Sequence, residues 1–129
     1  MNLESKNKKY GFKRFLMSFK NSFNGFKHAY LNEQSMFIHF IAVVLTVLLG
    51  IVLKISFIEW LVIISLLVFV AIIELLNTAI ESVCDAVTFD QNKYIKVAKD
   101  TASSAVFLAT LVTLIVGLII FIPKIIAIL

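Results

Sequence analysis

The chain has 129 residues, 60% of them hydrophobic and 16% charged, with a formal net charge of +4. A single domain of that size with so apolar a composition is a membrane protein rather than a soluble fold. Its one cysteine, Cys84, excludes an intramolecular disulfide and any paired-thiol metal or redox motif, and its positive charge matches no nucleic-acid motif, pointing instead to anionic headgroups or an anionic substrate.

Residues 1–10 are polar and basic and are expected to form a flexible N-terminus, without the apolar core or cleavage site of a signal peptide. Residues 11–33 place Phe12, Phe15, Leu16, Phe19, Phe23, Phe26 and Tyr30 at spacings of three and four, with Lys13, Arg14, Lys20, Asn24 and Lys27 on the other face. That pattern predicts an amphipathic helix lying in the membrane interface. Three apolar segments follow at 36–53, 57–85 and 97–129, each long enough to cross a hydrocarbon core of about 30 Å. The three-residue linker after the first, Lys54 to Ser56, implies a tight antiparallel hairpin, while the linker near "AVTFDQNKYIK" is longer and polar. The expected fold is therefore an all-α membrane protein: a surface helix, then three transmembrane helices in one domain.

Orientation follows from the basic residues. Lys6, Lys8, Lys9, Lys13, Arg14, Lys20 and Lys27 precede the first span, whereas the first linker offers only Lys54. This places the N-terminus in the cytoplasm, returns Lys93, Lys96 and Lys99 to that side and leaves Lys124 outside.

The second span ends unlike the others. Glu74 to Asp85 reads "ELLNTAIESVCD", and Glu74, Asn77, Glu81 and Asp85, at spacings of three, four and four, lie on one helical face. An ionised acid at mid-bilayer costs at least about 2.5 to 3.5 kcal/mol, so such a stripe faces a bundle interior and usually serves function. The competing reading is a structural stripe that hydrogen-bonds helices together. Glu33, between the surface helix and the first span, belongs to the interface that Glu81 reaches. Two carboxylates at one depth, without a histidine or thiolate cluster, favour a hard cation such as Mg²⁺. "AKDTASSAVFLA" brings Lys99 and Asp100 to the same plane, where a lysine beside a metal-binding pair suits a phosphate-bearing ligand, though it also reads as a cytoplasmic flank.

The four glycines form no phosphate-cradling loop, so a nucleotide would be held by metal and side chains. The serines sit in no nucleophile elbow, which counts against acyl hydrolysis. Cys84, His28 and His39 read as packing or interface residues.

"ELLNTAIESVCD", with Asn32–Glu33 and Ala98–Asp100, closely resembles the small prokaryotic diacylglycerol kinase family, which includes undecaprenol kinases. The likeness runs from about Gly11 to Leu118. It implies an integral-membrane lipid kinase that uses ATP with Mg²⁺ and assembles as a homotrimer with active sites between subunits. Carried onto this sequence, the resemblance makes Glu74 the general base and Glu33 with Glu81 the metal ligands. It makes Arg14, Asp90, Gln91, Asn92, Lys99 and Asp100 nucleotide contacts, with Asn77 positioning the reacting groups and Ser103 near the lipid. Cys84 replaces a usual valine. His39 stands where the diacylglycerol-acting branch tends to carry an acid, which resembles the Gram-positive branch and implies undecaprenol as acceptor, with diacylglycerol the alternative.

Two other classes compete. An ion-coupled transporter would distribute charge along a path through the membrane, whereas this stripe is one-sided. A scaffold would use the alanine face of Ala98, Ala102, Ala105 and Ala109, but an oligomeric enzyme requires such packing equally.

Overall fold

The apolar runs and the breaks between them give four helices in a computed structural model that describes residues 11–87 and 92–129. They are α1 (Phe12–Asn32), α2 (Gln34–Val52), α3 (Phe57–Val87) and α4 (Lys93–Ile128). The last three are each long and apolar enough to cross a membrane, and few residues in any of them are buried within the chain. Helix α4 begins a turn before its apolar run, where the side chain of Asn92 caps it by accepting from the amides of Tyr94 and Ile95 at 2.9 and 3.4 Å.

A single residue joins α1 to α2. Glu33 is extended (φ −104°, ψ 121°); its amide donates to the Ala29 carbonyl at 2.9 Å and its carbonyl accepts from Phe37 at 3.2 Å. The surface helix is thus closed and the first span opened at one carboxylate-bearing position. Only Ala29 of α1 is buried, and Tyr30 meets Phe40 of α2 edge-on with ring centroids 6.5 Å apart. Phe12, Phe15, Phe19 and Phe23 are exposed, the surface expected of a helix whose apolar face rests in lipid.

The α2–α3 hairpin is determined by local chemistry. The amide of Ile55 donates to the Gly50 carbonyl at 3.1 Å and that of Lys54 to Ile51 at 3.2 Å, the paired bonds of a Schellman motif, with Lys54 in the left-handed region at φ 49°. A capping box follows at once. The Ser56 amide donates to Glu59 Oε2 at 2.7 Å, and the Glu59 amide donates to Ser56 Oγ at 3.3 Å. Glu59 also pairs with Lys124 of α4 at 3.0 Å. Beneath this lies the main apolar cluster of Ile55, Ile63 and Phe121, with Leu49, Leu53 and Trp60 packed against it. Helix α3 packs most extensively against α4, in an antiparallel register fixed by Glu59–Lys124 at one end and Asp85–Lys99 at the other.

Gly50 is required here by space. A Cβ at that position would lie 2.7 Å from Trp60 Cη2 and 3.1 Å from Ile55 Cδ1. Gly50→Ala should therefore destabilise the protein in detergent by about 1 to 3 kcal/mol, the usual cost of overpacking. Adding Trp60→Leu should recover part of that loss, because the double change removes the clash. Strictly additive losses in denaturation midpoints would show that the Gly50–Trp60 contact is not the constraint.

Candidate active site

The polar stripe of α3 is graded along its length. Glu74 is buried (5% exposed), Asn77 and Glu81 are half-buried, and Asp85 is exposed. At ~1.5 Å per residue the stripe climbs on the order of 15 Å, from a protected acid to a solvated one.

Glu74 is held from α2. Ser35 Oγ donates to Glu74 Oε2 at 2.9 Å, a charge-assisted bond that partly offsets the burial of the carboxylate. Ser35 lies two residues after Glu33, so the same bond sets the level of Glu33 against α3. One turn above Glu74, Asn77 Nδ2 donates to Glu81 Oε1 at 3.2 Å, and Asn77 Oδ1 is buried without a partner. Because helical side chains lean toward the N-terminus, the carboxylate of Glu81 reaches back over Asn77 toward Glu74.

The nucleotide-contact candidates are distributed differently. Lys99 Nζ lies 3.0 Å from Asp85 Oδ1 and within the field of Glu81, so this cation stands beside the upper end of the stripe. Asp100 is turned to Lys96 Nζ at 2.6 Å on the exposed face of α4. Asn92 is exposed, and its amide oxygen is engaged in capping α4. Arg14 is exposed in the first turn of α1, and Ser103 is exposed on α4. Asp90 and Gln91 lie outside the described residues.

Two contributors have no motif to mark them. Ser35 acts across 39 residues of sequence. Tyr30, stacked on Phe26 with centroids 4.6 Å apart, has a phenol held above its ordinary range by burial and then by the negative charge of Glu74. It therefore remains protonated, a donor, at neutral pH. A signal for Ser35 does exist: Ser35, His39, Ala42 and Thr46, at spacings of four, three and four, form a small and weakly polar face within an otherwise bulky α2.

That face lines a groove of about 520 Å³ between α2, α3 and α4, with Ser35 and Glu74 at one end and Phe121 and Ile125 at the other. Apart from His39 and the threonines Thr46, Thr110 and Thr113, its walls are otherwise apolar. His39 is buried there, donating from Nε2 to the Leu67 carbonyl at 3.1 Å. From Ser35 to Leu49 along α2 the groove is about 20 Å long, enough for the first part of a lipid tail.

The side chains at this end fit Mg²⁺ in donor chemistry, as carboxylates without histidine or thiolate. Among the described residues no three histidine, cysteine or acidic side chains gather into a metal-holding cluster. Two separate carboxylates, Glu33 and Glu81, are what an octahedral, oxygen-seeking ion uses when phosphate oxygens and water complete its shell.

Residues 20–121 match the family described as prokaryotic diacylglycerol kinase. The chain is 34% identical over 122 residues to the undecaprenol kinase of Bacillus subtilis (strain 168), covering 95% of this chain and 99% of that protein. It is 33% identical over 105 residues to the diacylglycerol kinase of Escherichia coli (strain K12), covering 81% and 86%. A diacylglycerol kinase of Synechocystis is 33% identical over 113 residues, covering 87% of this chain and 65% of its own length.

The Ser35–Glu74 bond predicts a separable defect. A hydrogen bond to a charged group contributes about 1.5 to 3 kcal/mol, so Ser35→Ala should lower kcat about 10- to 100-fold while the KM for nucleotide stays within about twofold. Ser35→Thr, which keeps the hydroxyl, should recover most of the rate. Equal rates for the Ala and Thr variants would remove Ser35 from the site.

Proposed function

The chain belongs to the prokaryotic diacylglycerol kinase family and is a lipid kinase, and from that premise we propose that it transfers the γ-phosphoryl group of ATP to undecaprenol at the cytoplasmic face of the cell membrane. The observation that carries the reading is the position of Glu74. A buried carboxylate stands at the head of an apolar groove, where a lipid hydroxyl arrives from the bilayer and a phosphate can arrive along the increasingly exposed stripe above it.

In this reading Glu74 accepts the proton of the lipid hydroxyl as its oxygen forms a bond to the γ-phosphorus. The bond to the β-phosphate bridging oxygen breaks, ADP leaves, and Glu74 later returns the proton to water. Ser35 fixes the carboxylate, and the protonated Tyr30 supplies a donor on the same side. Glu33 and Glu81 would hold Mg²⁺, which supplies charge neutralisation for the phosphates when bound. Lys99 adds a point charge at the mouth, with Arg14, Asp90, Gln91, Asn92 and Asp100 as further nucleotide contacts and Ser103 beside the lipid. Asn77, with its free buried oxygen, orients the groups between Glu74 and Glu81.

Undecaprenol is preferred as acceptor because the Bacillus relative bearing that name matches almost end to end and because His39, not an acid, occupies the groove wall. Diacylglycerol remains a second acceptor. Cytoplasmic placement rests on the seven basic residues before α2. A homotrimer with shared sites rests on the thinness of one chain, whose three spans leave most of their apolar surface uncovered.

In mixed micelles with labelled ATP, phosphate transfer should require an added lipid alcohol, with undecaprenol outpacing diacylglycerol in kcat/KM. Glu74→Gln should lower turnover about a hundred- to ten-thousand-fold, the range of general-base contributions, without loss of nucleotide binding. Lipid-independent ATP consumption would overturn the assignment.

Subunit mixing tests the shared site. Glu33→Gln and Glu74→Gln chains, each inactive alone, should regain part of the activity when co-assembled. Crosslinked hetero-oligomers that stay inactive would confine each site to one chain.

A further inference from the structure

Two glycines lie within the spans of the hairpin and α4, and only one of them is explained by packing. Gly50 is required because Trp60 presses against it, whereas a Cβ at Gly117 would meet nothing within 4 Å. Glycine costs about 1 kcal/mol relative to alanine inside a helix. No neighbour within the chain demands that sacrifice. Gly117 instead lines the groove that begins at Glu74, on the same face of α4 as Thr110 and Thr113.

Its depth follows from the helix register. With Asp85 opposite Lys99 and Glu59 opposite Lys124, Gly117 lies on the order of 10 Å further into the bilayer than Glu74. An isoprene unit advances by four chain bonds of about 1.5 Å each, roughly 5 Å along the chain when its angles are counted. If the prenyl hydroxyl is at Glu74, two units fill the groove above Gly117 and the third passes it.

Resting on the undecaprenol reading above, we propose that Gly117 is a specificity-determining residue, its absent side chain leaving the width in the groove wall that the methyl-branched third unit of a polyprenyl chain fills. Burial cannot supply this discrimination, because a tail moving from bilayer to groove exchanges one apolar setting for another. Width can. A branched chain gains contacts in a widened wall that a straight acyl chain leaves empty, and those contacts are dispersion terms that fall off steeply across a gap.

The experiment compares wild type, Gly117→Ala and Gly117→Leu on geraniol, geranylgeraniol, undecaprenol and a diacylglycerol in mixed micelles. Geraniol ends before Gly117, so Gly117→Leu should change its kcat/KM by less than about twofold. The two longer prenols should lose at least about tenfold, diacylglycerol less than about threefold, with Gly117→Ala intermediate and the KM for ATP unchanged. Equal losses on geraniol and geranylgeraniol, or no loss on either, would overturn the proposal. So would a changed crosslinking pattern, which would give the space to subunit packing. A wild type inactive on every alcohol would instead sink the kinase reading and this proposal with it, an outcome distinct from an active enzyme indifferent to residue 117.

Discussion

A carboxylate buried in the wall of a membrane-spanning helix is the constraint on which the remaining organisation depends. Glu74 is 5% exposed in a segment otherwise uncharged back to Glu59, and such a group cannot remain there without a partner. Ser35 provides one, and in doing so joins the start of α2 to the middle of α3. Once that bond is made, Glu33 is brought to the same end of the molecule as Asn77 and Glu81, and α1 meets both α2 and α3. The site is therefore a consequence of satisfying one acid. The stripe then passes from buried Glu74 through half-buried Asn77 and Glu81 to exposed Asp85, so its polar groups run from a protected setting to a solvated one.

The opposite end of the molecule is built for rigidity. The Schellman motif at Lys54, the capping box of Ser56 and Glu59, and the Glu59–Lys124 ion pair fasten all three spans within a few residues of one another. Trp60, seated on Gly50, fills the space between them. This asymmetry explains how a groove can persist in so small a bundle. With α3 packed along α4, and α2 clasped to them at one end and tied to α3 through Ser35–Glu74 at the other, α2 can stay apart from α4 in the middle, and the main buried cluster of Ile55, Ile63 and Phe121 lies at the clasped end.

How much of this is legible in the sequence depends on whether the signal is periodic or spatial. Helical number and type follow from runs of apolar residues whose length only a bilayer explains, and the polar stripe from spacings of three and four that survive translation into a helix. Glu59 shows the middle case. Read along the chain it is the last charge before an apolar run, yet with Ser56 it also forms a Ser-x-x-Glu capping signature that spacing alone reveals. Ser35 and Tyr30 show the limit. One is a serine among many, and the other is a member of an aromatic stripe whose obvious role is to meet lipid. What links each to the candidate site is Glu74, Ser35 by a hydrogen bond and Tyr30 through the charge it feels, and both links arise only when the helices pack. Asp100 shows the converse, since adjacency to Lys99 suggests a shared ligand whereas the helix turns the two side chains toward different partners, Lys96 and Asp85.

The uncovered apolar surface carries the last step. In a soluble protein exposed Phe, Ile and Leu on every span would mark an incomplete fold, but here lipid is the solvent and apolar side chains gain nothing by leaving it for one another. Close packing must then arise where small residues let backbones approach, and Ala102 and Ala109 of α4 are indeed buried against α3. The groove face of the same helix carries Thr110, Thr113 and Gly117 among the bulkier Leu114, Leu118 and Phe121, with α2 forming the opposite wall. One helix thus presents small residues on two faces, of which one is packed and one lines the groove. In a solvent that offers no reward for burial, such a groove is maintained by shape alone, and its width at each depth is set by the side chains that line it.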